Sequence, residues 1–105
     1  MVEVTWTTRA RKDLDGISAF IAEGSPYYAQ QTEWGIFERS LVLERQPRLG
    51  HAVKEVGDAS VREIGFGRYR IIYWLIDADH IAIVAVVHSS RKMSSSAIRS
   101  RLKRS

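Results

Sequence analysis

The sequence predicts an α+β fold of order β-α-α-β-β-β: an antiparallel sheet, a helical hairpin packed on one of its faces, and a short basic C-terminal helix. Two stretches of helical period are separated only by Gly24, Ser25 and Pro26, a link too short for anything but a helical hairpin. Residues 61–88 then hold three strand-like apolar runs divided by two turn signals. At 105 residues the chain reads as one domain, able to bury about two-thirds of its unfolded surface without disulfides or metal.

Each element has a local cause. Val2, Val4 and Trp6 alternate with Glu3 and Thr5, the period of a half-buried strand. Thr7 or Thr8 can cap the helix that follows. Ala10, Leu14, Ile17 and Ile21 recur on one face of that helix, and Gly24 ends it. Ser25 caps the next helix and Pro26 occupies its first position, where a missing N–H is harmless. Gly35 is a weak point within it, worth about 1 kcal/mol against alanine. Pro47 and Gly50 are expected to stop it, and residues 51–59 to be partly irregular. Three strands follow, over 61–64, 69–76 and 80–88. The run IAIVAVV is apolar at every position, so it should be buried on both faces and central.

Residues 1–92 form the expected core domain. Residues 93–105 form a basic tail in which Ser94 to Ser96 cap a short helix. Only Ile98 and Leu102 are available to dock it, so it should be weakly held. From Arg91 onward there are six basic residues and no acid, leaving ten basic against twelve acidic residues in the body. Arg91, Lys92, Arg99, Arg101, Lys103 and Arg104 are therefore candidates for contact with nucleic acid or an acidic protein. Solvated helix charge is the plainer alternative.

The chain has no cysteine, which excludes disulfides and thiolate metal sites and fits a cytoplasmic protein. Its start lacks an apolar h-region, and no apolar run approaches membrane-spanning length, so neither a signal peptide nor a membrane role is expected. His51, His80 and His88 have no metal-ligand spacing, and there is no phosphate-binding glycine loop, so no metal or cofactor is expected.

The charged groups inside the strand region carry what chemistry there is. With Phe66 and Gly67 as a two-residue loop, Glu63 falls opposite Arg70 and a cross-strand ion pair results. A bulged turn would instead put Arg62 beside Arg70, and two adjacent guanidiniums would mark an anion site. The length of the loop near Ala78 and Asp79 decides whether His88 shares a face with Arg70. His88 is a candidate acid or base, or simply a strand-end histidine bonded to its neighbours.

The segments VREI, GRYRIIYWLID and IAIVAVVHSSRK, with VEVTWTTRARKDL, GSPYYA and ERQPRLGHAVKEV before them, resemble RelE/ParE-type toxins of bacterial type II toxin–antitoxin systems over about residues 2–92. The resemblance implies a cognate antitoxin that folds onto the toxin, forming a hetero-oligomer in a plasmid-stabilisation-type module. It implies one of two activities. RelE-like members cleave mRNA on the ribosome with basic residues that stabilise the transition state; on that pattern Arg62, Arg70 and Arg91 fall at catalytic positions, with His88 as a substitute acid or base. Ile64 stands where a second basic residue is expected, and the expected C-terminal tyrosine falls near Ala97, so two of five groups are absent. The SPYYA link, PRLGHAVKEV, VREI and the histidine after the last strand resemble ParE-like members, which inhibit DNA gyrase. A gyrase inhibitor is the leading expectation, a ribosome-dependent endoribonuclease the alternative, and an inactivated toxin the third.

Overall fold

The computed structural model describes residues 1–103. The N-terminal alternation gives β1 (Glu3–Trp6), and Thr7 caps α1 (Thr8–Ala22) by accepting from the Ala10 N–H at 3.2 Å. Ser25 caps α2 (Pro26–Leu41) in the same way through Tyr28 N–H. This helix ends earlier than Pro47 suggested, passing into a 3₁₀ turn (Val42–Glu44) that carries Leu43 into full burial. Gly50 has another role. Its N–H donates to the Tyr73 hydroxyl, and a Cβ there would collide with the Glu63 carbonyl. Gly35 is likewise explained: the Phe66 ring lies on it, where a side chain would have to displace the ring.

The region expected to be irregular contains a short strand, β2 (His51–Ala52). Then come β3 (Val61–Phe66), β4 (Tyr69–Leu75) and β5 (His80–His88), giving one sheet of order β1-β5-β4-β3-β2. The β5 strand is interior and buried on both faces, although β4 is the geometric centre. One pairing departs from the antiparallel expectation: β1 runs parallel to β5, with Glu3 opposite His80 and Trp6 opposite Ile83. The two are remote in sequence, and the helical hairpin lies within the long connection that a parallel pair requires.

Two turn lengths set the faces. The β3–β4 loop is Gly67 and Arg68, one residue later than expected, with Gly67 at φ +56° as hairpins of the primed type favour. This puts Gly65 opposite Arg70 and Glu63 opposite Ile72. The β4–β5 loop has three residues, 77–79, since the Ile76 N–H bonds the His80 carbonyl. A bulge then makes Val84 the extra residue between the Tyr73–Ile83 and Ile72–Ala85 pairs. The loop and bulge offset one another, so Arg70 lies opposite Val87 and His88 opposite Tyr69.

The hairpin face of the sheet packs Ile64, Ile71, Tyr73, Ile81, Ile83 and Val86 against Ala10, Leu14, Ile36 and Leu43. The opposite face is also covered. Val53, Val56, Val61, Ile72, Val84 and Val87 surround Ile98 of the C-terminal helix α3 (Ser95–Arg99), with Met93 and Leu102 beside it. Ile98 has no exposed surface. The tail is therefore a strap closing the second layer, contrary to the weak docking expected from its two apolar residues. The large apolar face of β5 supplies what the short helix lacks.

Candidate functional site

Arg70 points to the strap side of the sheet and is closed in by carboxylates. Its Nε donates to Glu63 Oε1 at 2.6 Å and its Nη2 to Glu63 Oε2 at 3.0 Å. Nη1 and Nη2 donate to the two oxygens of Glu55 at 3.0 and 3.1 Å. The Glu63 contact is the ion pair expected from sequence, reached diagonally across the strands. The register differs by two residues, which preserves the face. Both carboxylates raise the Arg70 pKa further above its ordinary value. The Arg70 hydrogen bond in turn holds the Glu55 carboxyl below the usual carboxylate range. Glu55 lies in the irregular stretch after β2, and no pattern in the sequence marks it as this partner.

The other strand-region candidates are dispersed. Arg62 lies on the opposite sheet face from Arg70, where it donates to the Ala59 and Gly50 carbonyls at 3.0 and 2.8 Å. It ties two loops to β3. His88 is also on the hairpin side, with its ring edge-on to Tyr69 at 5.6 Å. Its Nδ1 accepts the Ser90 N–H at 3.1 Å and lies 2.7 Å from the Ser90 hydroxyl. Arg70 and His88 therefore cannot meet on one face. Arg91 follows β5 at the sheet's end and is the link between the two sides. It lines a cleft with Lys54, Glu55, Glu63, Arg70 and Lys92, and also a groove with Lys12, Tyr69 and His88.

The basic tail divides into two kinds of residue. Arg101 Nη1 donates to Asp13 Oδ2 at 2.6 Å and to the Val84 carbonyl at 3.2 Å. Arg99 donates to the Val56 carbonyl and the Ser95 hydroxyl. These two hold the strap. Arg91, Lys92 and Lys103 are exposed, while Arg104 lies outside the described residues. Asp13 was not legible as a partner for Arg101, because the two are separated by 88 positions. Among the described residues there is no cluster of acidic or histidine side chains fit to hold a metal, and no helix is long and apolar enough to cross a membrane.

The helical hairpin presents a second feature. Tyr27, Tyr28, Trp34 and Phe37 are exposed, with Trp34 and Phe37 rings 5.9 Å apart and Phe37 leaning on Trp6. Leu14, Gln30, Gln31, Glu33, Trp34 and Phe37 line an open cleft there. Monomeric domains seldom leave this much aromatic surface uncovered on one element.

Residues 4–93 match the family described as the ParE toxin of the type II toxin–antitoxin system parDE. A chain of the chromosomal ParDE toxin–antitoxin system from P. aeruginosa is similar in structure, with TM-score 0.67 and 20% identity, over 84% of this chain and 96% of that one. At that identity it speaks for the fold. A chain of the RelBE2 toxin–antitoxin complex from Mycobacterium tuberculosis is similar with TM-score 0.58 and 26% identity, over 83% of this chain and 96% of that one. No curated protein matches the sequence.

Proposed function

This chain belongs to the ParE toxin family of type II toxin–antitoxin systems, and from that premise we propose that it acts by binding: it inhibits DNA gyrase and is neutralised by a cognate antitoxin. The observation that carries the choice of binding over RNA cleavage is the state of Arg70. Transition-state stabilisation requires donors aimed at an open position where charge develops. Four hydrogen bonds from the Arg70 guanidinium go to Glu55 and Glu63, whose carboxylates occupy the place a phosphate would take. Arg62 and His88 lie on the other face. The spread of Arg62, Arg70 and His88 over two sheet faces supports binding over cleavage.

The exposed cations suit contact with a macromolecule. Lys54, Arg91 and Lys92 rim the cleft without an acidic side-chain partner among the described residues. The aromatic surface of the hairpin suits the apolar side of an antitoxin segment that orders on binding. Support for the partner also comes from the two structural relatives, both drawn from toxin–antitoxin systems. The test is a gyrase supercoiling assay with purified protein. Inhibition that the co-expressed antitoxin relieves is expected, and full supercoiling at excess protein would overturn the gyrase reading. In the same preparation, Trp34→Ala should weaken antitoxin binding by about tenfold or more, as loss of an aromatic anchor does.

A further inference from the structure

We infer that the open end of β5 is a docking slot for an extended acidic peptide segment, which adds to the sheet in line with β1 and parallel to β5. The β1 strand covers β5 only from His80 to Ile83. The chain then turns into α1, with the Thr7 N–H taking the Ile83 carbonyl. The β5 strand continues to His88, so among the described residues its edge beyond Ile83 has no neighbouring strand. Part of that edge is closed by side chains: Arg101 takes the Val84 carbonyl and Asp13 takes the Val86 N–H at 3.0 Å. Within a strand the N–H and C=O of one residue point to the same side. The Val86 carbonyl therefore faces the opening, as does the His88 N–H two residues on. The His88 carbonyl already receives the Arg91 N–H.

Among the described residues, what remains is one acceptor, on Val86, and one donor, on His88. One residue of a parallel strand bonds just this pair, giving its N–H to the first and its carbonyl to the second. An antiparallel strand would need both groups of Val86 or both of His88, and each of those pairs is half occupied. A DNA backbone offers no donor for the Val86 carbonyl, and RNA offers only ribose hydroxyls, which do not reproduce the N–H and C=O spacing of one peptide residue, so the slot favours a peptide over nucleic acid.

The surrounding groove selects the side chains. Gly16 of α1 lines it, and a Cβ there would meet nothing within 4 Å. Lys12 and Arg91 line it without an acidic partner among the described residues, since Asp13 is committed to Arg101. The Ser90 N–H fixes His88 Nδ1 as an acceptor, so the neutral ring carries its proton on Nε2 and offers a further donor. Phe20, 76% exposed, provides an apolar wall. Cations and donors on the rim call for carboxylates in the guest. None of this depends on the gyrase reading.

The test uses the full chain labelled with ¹⁵N and three probes: an acetylated, amidated hexapeptide alternating Val and Glu, its Val-Lys counterpart, and a uridine hexanucleotide. The Val-Glu peptide should move the Val87 and His88 amide resonances and slow exchange of the His88 N–H. Gly16→Leu should abolish this while leaving the thermal melt unharmed, because leucine is the better helix former. Reversing Lys12 and Arg91 to Glu together should weaken binding at least about tenfold. Absence of binding, shifts confined to other surfaces, equal binding of the Val-Lys peptide, or preference for the oligonucleotide at the same amides would each overturn the proposal.

Discussion

Arg70 is held by two carboxylates, so its replacement should register first as lost stability. The side chains of Arg70, Glu55 and Glu63 are 15%, 26% and 11% exposed, shielded enough for their pairing to count. Arg70→Ala leaves both carboxylates unpaired and should cost about 2–3 kcal/mol in urea unfolding. Arg70→Lys should recover only part, lacking the planar fork that meets both partners. A pH dependence follows from Glu55. Its folded pKa lies below the unfolded value, so the folded state binds fewer protons and the contribution is complete above the unfolded value. It is lost as pH falls through the folded value, so unfolding free energy should drop as the pH is taken below about 4.5. In an Arg70→Met background that part of the slope should vanish. The Glu63 contact was legible because residues on one face of a hairpin are restricted to a few cross-strand choices. Glu55 was not, since a loop carries no period that could place it.

At the scale of elements, the β5 strand explains most of what the sequence could and could not give. Its unbroken apolar run indicates burial on both faces, yet the run does not say what covers the second. The cover is the C-terminal strap, whose helix has too few apolar residues to announce itself. Ile98→Ala should destabilise the fold by about 2–4 kcal/mol, the range for a fully buried aliphatic side chain. Arg101→Ala should cost about 2 kcal/mol or more, because it leaves the Asp13 carboxylate without its cation and the Val84 carbonyl without its donor. Both values are open to chemical denaturation. The starts of the two hairpin helices, by contrast, were signposted by the threonines at 7 and 8 and by Ser25 and Pro26, whose effects are local. The bulge at Val84 had no such signal. It compensates a three-residue loop, and a run of interchangeable apolar side chains does not reveal an extra residue.

For the whole molecule, the two sheet faces have separate duties. One is packed by the helical hairpin, whose outer surface exposes aromatic side chains. The other is closed by the strap and by the Arg70 cluster at its margin. The family was readable in the order of its segments, while the separation of Arg62, Arg70 and His88 required the turn lengths and the bulge. A protein built this way is suited to occupying a partner's surface. Binding without RNA cleavage is tested by primer extension on mRNA from ribosomes programmed in vitro and incubated with the purified protein. Full-length mRNA is expected at protein concentrations that arrest gyrase. Discrete cuts in the ribosomal A site, lost in Arg70→Ala while that variant stays folded, would contradict it.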